Sequence, residues 1–229
     1  MPRPLFGQPK HIERKKKMMT IETKMQPEDI ETKSFEIIAQ EAGSHGFNDR
    51  EWQIVRRMIH TSADFEYLKS VRFHDDAINR GIAAISAGKP IFTDTEMVRS
   101  GIRKRDLRQF GGDVVCLIGD SQVGQAAKDA GHTRAAAAVD AVADSLTGCI
   151  YAVGNAPTAL LRLLELISEK KARPALIVGF PVGFVNAAES KAALVDSGYP
   201  HIANMGRKGG SNVAASVVNA LVIMAGVGN

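Results

Sequence analysis

The chain has 229 residues, 45% of them hydrophobic, which is enough for one sizeable domain with a buried core and excludes a disordered or fibrous protein. No apolar run reaches the length of a membrane span, and no apolar stretch follows the charged N-terminus as in a secretory signal, so no membrane partner is expected and the expected compartment is cytoplasmic. The net charge of +4 comes without a basic stripe interleaved with aromatics, so no nucleic-acid partner is expected, whereas a polycarboxylate ligand suits the surplus of Arg and Lys.

Residues 1–24 read as a basic N-terminal extension. Pro2, Pro4 and Pro9 precede the run Arg14-Lys15-Lys16-Lys17, the composition of a solvated, mobile tail. A single α/β domain is expected over residues 25–229, and Met18, Met19 and Met25 are alternative starts. Residues 28–44 form an amphipathic helix with Ile30, Phe35, Ile37 and Ile38 on its apolar side and Gly43 as its stop. The next helix opens with Asn48 as N-cap and Glu51 three residues on, a capping box. Trp52, Ile54, Val55, Met58 and Ile59 fill one arc at 100° per residue. Gln53, Arg57, His60 and Asp64 fall on the other side, at spacings of three and four that bring Arg57 and Asp64 to His60. The same spacing equally describes a solvated helix face with an exposed histidine.

From there helices and strands alternate. Helices are expected over residues 74–87, 95–101, 132–146, 157–171, 187–195 and 212–225, and strands over 89–93, 113–119, 149–154, 175–180 and 201–206. Arg103-Lys104-Arg105 falls on a loop. Strands apolar on both faces, separated by helices, indicate a mostly parallel central sheet covered on both sides, a Rossmann-like three-layer arrangement. Ligands of such sheets bind beyond the carboxyl ends of the strands. Those ends are Thr93-Asp94, Gly119-Asp120, Gly154-Asn155, Gly179-Phe180-Pro181 and Gly206-Arg207-Lys208-Gly209-Gly210-Ser211. Pro157 fits the first turn of a helix, with backbone donors nearby that suit an anionic group. They are also what ordinary strand-to-helix turns look like.

Competing motifs fail on their residues. Gly119-Asp120-Ser121-Gln122-Val123-Gly124 has the end glycines of a phosphate loop, but Gln125-Ala126 replaces its Lys-Ser/Thr. No G-x-G-x-x-G follows a strand, and no G-x-S-x-G elbow occurs. The six histidines form no H-E-x-x-H or Cys/His cluster, and Cys116 and Cys149 lie in apolar runs as buried thiols, so no protein-bound catalytic metal is expected.

The stretch Arg57-Met58-Ile59-His60-Thr61-Ser62-Ala63-Asp64-Phe65-Glu66-Tyr67 resembles the histidine motif of the precorrin-8X methylmutases, also called cobalt-precorrin-8 methylmutases. Four more segments match that family in order: residues 30–38, with Thr32-Lys33 in place of the usual basic pair, Asp94-Thr95-Glu96-Met97, residues 154–160, and residues 179–185, which continue into Ala188-Glu189-Ser190-Lys191. The resemblance implies an isomerase of cobalamin biosynthesis that moves a methyl group from C-11 to C-12 of a corrinoid tetrapyrrole, giving hydrogenobyrinic or cobyrinic acid. It implies no cofactor, because the shift is intramolecular, and it leaves open whether the substrate carries cobalt. It implies His60 as proton donor, Ser34, Arg57, Thr93, Asp94, Arg134 and Asn155 around the polycarboxylate substrate, and a homodimer with the pocket near its interface. Lys191 and Arg207 are further cations near strand ends, and Asp64 is a candidate to orient the imidazole. A corrinoid carrier without catalysis would need the same cations but no positioned acid. A transferase using an adenosyl cofactor would need the glycine loop that is missing.

Overall fold

The computed structural model describes residues 26–227, so the basic extension lies outside the described residues. Helix α1 (Pro27–Ala42) ends at Gly43, where φ is 61°. Helix α2 (Asp49–Ser62) starts with the expected capping box: Asn48 accepts from the Arg50 and Glu51 backbone, and Glu51 accepts from the Asn48 backbone. A one-turn helix α3 (Tyr67–Ser70) leads into β1 (Val71–Phe73) and α4 (Ala77–Ser86). Then follow β2 (Ile91–Thr93), α5 (Glu96–Gly101), α6 (Lys104–Arg108), β3 (Val114–Val115), α7 (Ser121–Ala130) and α8 (Arg134–Val142). The chain continues through β4 (Ile150–Val153), α9 (Pro157–Ser168), β5 (Leu176–Gly179), α10 (Ala187–Asp196), β6 (His201–Asn204) and α11 (Ser211–Val227).

The strands lie in the order β1-β6-β5-β4-β2-β3 and are parallel except β1, which runs antiparallel to β6 at the edge. Ile150 in the centre sits opposite both Ile91 and Leu176. One sheet face, with Ile91, Ile150 and Val178, packs on α2, α4 and α11 through residues such as Ile54, Ile85 and Leu221. The other, with Phe92, Tyr151 and Ile177, packs on α8, α9 and α10 through Val139, Leu163 and Leu194. The expected three layers are therefore present.

Helix α2 buries Ile54, Val55, Met58 and Ile59, which is four of the five residues of its predicted arc. Each such side chain contributes roughly 1.5–3 kcal/mol on burial. That stripe fixes the roll of α2, and with it the direction in which Arg57 and His60 point.

Several elements differ from the sequence expectation. The edge strand β1 and helix α7 were not anticipated. The Arg103–Arg105 run enters a helix, α6, instead of staying on a loop, and the 132–146 helix breaks into α8 and a 3-10 turn, Ala143–Ser145. Asp120 caps α7 by accepting from the Gln122 and Val123 backbone, so the loop with phosphate-like glycines is a helix start. Among the described residues no helix is long and apolar enough to cross a membrane.

Candidate active site

Helices α1 and α2 pack against each other through Ile38 and Ile59, and their polar edges meet beside this contact. There Ser34 Oγ lies 2.8 Å from His60 Nδ1. Phe35 follows Ser34, and its ring is a hub: the His60 ring lies 5.2 Å away, the Arg56 guanidinium 4.6 Å and the Arg57 guanidinium 5.1 Å. Arg57 donates to Glu31 on α1 at 3.0 Å. Burial, with Arg57 beside it, depresses the Arg56 guanidinium below its ordinary value, and Glu31 opposes this. Ser34, Arg57 and His60, three of the seven predicted site residues, thus share one place.

His60 is exposed and stands between two hollows. The first, of about 350 Å³, is walled by Ile30, Ile37, Ile59 and Phe65, with Ser34 beside them. The second, of about 220 Å³, is polar and includes Arg57, Thr61 and Arg103. Among the described residues Ser34 is the one hydrogen-bond partner of the imidazole, and it takes Nδ1, which leaves Nε2 for a ligand.

Thr93, Asp94 and Asn155 form a separate group where β2 and β4 end. Thr93 Oγ1 has the carbonyls of Thr95 at 3.2 Å and Val115 at 3.4 Å as alternative acceptors for its one proton. Asp94 is only 1% exposed. Its Oδ1 accepts from Gly154 N at 2.9 Å, and its Oδ2 from Asn155 N at 2.8 Å and Ala156 N at 2.7 Å. The backbone donors ahead of Pro157, expected to suit an anionic ligand group, are thus taken by the protein's own carboxylate. Burial pushes the Asp94 carboxyl above the usual carboxylate range, while the three N–H bonds pull it down. Gly154 is required at this junction, because a Cβ there would lie 2.5 Å from Val98 Cγ2 and 2.7 Å from Ser211 Cα. Asn155 is exposed beside it.

Arg134 is the first residue of α8, in the helix layer on the opposite sheet face from α2. It is exposed, and its guanidinium crosses α7 at Gly124, where a Cβ would sit 2.8 Å from Nη2. The structure therefore does not bring Arg134 to the His60 hollows within one chain.

Asp64 does not join His60 either. The helix stops at Ser62, and Ala63, with φ of 52°, turns the chain. Asp64 instead accepts from Lys208 Nζ at 2.6 Å and from the Glu66 backbone at 2.9 Å. Its carboxyl lies below the usual range because of the Lys208 hydrogen bond. Lys191 is fully buried: its Nζ donates to Asn204 Oδ1 at 3.3 Å and to the Lys208 carbonyl. Arg207 is exposed, with its guanidinium 5.4 Å from the Phe184 ring centroid. Sequence reasoning missed Phe35, counted only as an apolar helix position, and Arg103, placed on a loop. The one signal for Phe35 was its place beside Ser34.

The family model for precorrin-8X methylmutase matches residues 29–224. The chain is 48% identical over 204 residues to the cobalt-precorrin-8 methylmutase of Priestia megaterium, covering 89% of this chain and 91% of that protein. It is 46% identical over 203 residues to that of Salmonella typhimurium, covering 86% and 95%. The solved precorrin-8X methylmutase of Thermus thermophilus superposes with a TM-score of 0.83 at 47% identity, over 88% of this chain and 97% of that one. With a family match across its described core and relatives this similar over most of their length, the chain belongs to the precorrin-8X methylmutase family, isomerases of cobalamin biosynthesis.

Proposed function

We propose that the chain moves a methyl group from C-11 to C-12 of precorrin-8X or cobalt-precorrin-8, giving hydrogenobyrinic or cobyrinic acid, with His60 as the proton donor. The observation that carries this reading is the Ser34–His60 pair at 2.8 Å, set between an apolar hollow and a polar one that Arg57, Arg103 and Glu31 line. The apolar hollow suits the edge of a flat conjugated ring, and the arginines suit its carboxylates. A proton delivered to the macrocycle redistributes its π electrons and eases migration, and histidine is the side chain that gives and takes a proton near neutrality. The C-11–methyl bond breaks, the C-12–methyl bond forms, and a proton returns to the imidazole, so the isomerisation consumes none. Ser34 holds the ring at Nδ1, and Nε2 faces the substrate.

Arg57 binds a substrate carboxylate next to the acid. Arg134 binds another, and Thr93, Asp94 and Asn155 serve the ring at the strand ends, Asp94 by holding the backbone that carries Asn155. Because Arg134 and His60 lie in different helix layers, a homodimer that sets one copy's α8 near the other's α2 gives a pigment both cations. The exposed apolar residues Met97, Val182, Phe184 and Val185 support such a contact surface.

The test is single-turnover conversion followed by visible absorption. His60→Asn keeps a hydrogen-bonding side chain but cannot deliver a proton, so its rate should fall by about 10²–10⁴-fold. A near-normal rate would remove His60 as the acid.

A further inference from the structure

The polar hollow beside His60 is built for charge. Arg57, His60 and Thr61 of α2 form one side, Arg103 a second, and Ser216 and Asn219 of α11 a third, and Glu31 of α1 also lines it, its carboxylate paired with Arg57. Arg103 is held in place through its backbone. Its N–H donates to Asn219 Oδ1 at 2.8 Å, and Asn219 Nδ2 donates to the Gly101 carbonyl at 2.9 Å. One side chain on α11 therefore brackets the 101–103 turn and sets where Arg103 begins. Its guanidinium is braced by Asp106, which pairs with Nε at 2.7 Å. Arg57 is braced similarly, through one Nη, by Glu31 at 3.0 Å. Each guanidinium has five N–H donors, so each brace leaves donors for a ligand. At about 220 Å³ the hollow is too small for a macrocycle, since pockets for drug-sized ligands run roughly 300–1,000 Å³. One short acidic side chain fits it.

We propose that this hollow is a carboxylate subsite in which Arg57 and Arg103 together hold a single acidic side chain of the tetrapyrrole and so fix the ring edge beside His60. The inference rests on the tetrapyrrole reading given above. It makes Arg103 a specificity residue that selects an acid over the corresponding amide: a carboxylate pairs its negative charge with two guanidinium groups at once, whereas a neutral amide offers one carbonyl acceptor without the opposite charge and presents an NH₂ to donors. Asn219 acts through Arg103, as a positioning residue.

The test measures dissociation constants for cobyrinic acid and for its fully amidated, neutral counterpart by absorption titration. The proteins are the unaltered chain, Arg103→Gln and Arg103→Lys. Arg103→Gln should weaken the polyacid about tenfold or more and the polyamide clearly less, as loss of an ion-paired bond requires. Arg103→Lys should recover part of the loss, because it keeps the charge without the planar fork. Unchanged polyacid affinity in Arg103→Gln, or an equal loss for both ligands, would overturn the subsite. If the unaltered chain binds neither corrinoid, the tetrapyrrole reading falls first and the subsite with it. If it binds the polyacid and Arg103→Gln binds it as well, only the subsite falls.

Discussion

Ser34 Oγ and His60 Nδ1 meet at 2.8 Å across two helices, 26 positions distant in sequence. The bond occupies Nδ1, the ring nitrogen facing α1, and among the described residues Nε2 has no hydrogen-bond partner. Ser34→Ala would leave the imidazole without its partner while keeping the α1–α2 packing, which rests on Ile38 and Ile59. A net hydrogen bond contributes about 0.5–1.5 kcal/mol, so turnover should fall by up to about tenfold. Substrate affinity should change less than turnover. Comparing single-turnover rates with dissociation constants separates the two, and equal losses in both would make Ser34 a binding residue.

Arg57→Ala and Arg134→Ala should each weaken product affinity by about one to two powers of ten, the range for a charge-assisted bond of roughly 1.5–3 kcal/mol. Their positions predict a further difference. Arg57 lies on the His60 helix, and Arg134 lies in the opposite layer. If a partner copy supplies Arg134, mixing His60→Asn with Arg134→Ala protein should restore, at subsaturating substrate, a rate that neither has alone. Mixed samples no more active than the separate variants would confine each site to one chain.

The sequence carried some of this site and not the rest for physical reasons. Helix α2 was legible because its capping residues and its apolar spacing agree, and both are local. Strands β4 and β5 were legible because burial on both faces makes them continuous apolar runs. The strand β1 was not, since its three residues have one buried position and exist only by pairing with β6. Asp64 was placed with His60 by extending helical spacing two residues too far, and the left-handed turn at Ala63 has no glycine to announce it. The Asp94 clamp spans 60 positions from Asp94 to Gly154 and leaves no periodic trace. The Arg103–Asn219 bracket is equally non-local.

Asp94 should act on stability before it acts on chemistry. Asp94→Ala leaves three backbone donors, one buried and two part-buried, without this partner, and hydrogen bonds to a charged group contribute roughly 1.5–3 kcal/mol each. A loss of about 3 kcal/mol or more in unfolding free energy is expected. Asp94→Asn keeps one acceptor oxygen and should lose less. Denaturant unfolding of the three proteins checks this order, and an unchanged midpoint for Asp94→Ala would show that the clamp holds nothing.

Lys191 gives a pH signature. Its ammonium is fully buried, and its bonded partners among the described residues are Asn204 Oδ1 and the Lys208 carbonyl, neither of them a carboxylate. Burial lowers its pKa from 10.5 to about 8. Below pH 8 the folded and unfolded chains are both protonated here, and the folded state bears the full cost of burying the charge. Between pH 8 and 10.5 the unfolded chain holds the extra proton, so stability from this residue rises with pH across that window and is constant above it. Lys191→Met removes the titration but leaves Asn204 Oδ1 without its donor, while the Lys208 carbonyl keeps the Asn204 Nδ2 bond at 2.8 Å. The stability difference, unaltered minus Lys191→Met, should therefore move towards the unaltered protein from pH 7 to 10, by about 1–3 kcal/mol. Denaturant titrations of both proteins at matched pH give that difference directly, since groups common to both cancel. A flat difference would mean that the two carbonyl acceptors replace the lost water in full, and that the buried ammonium costs the fold nothing.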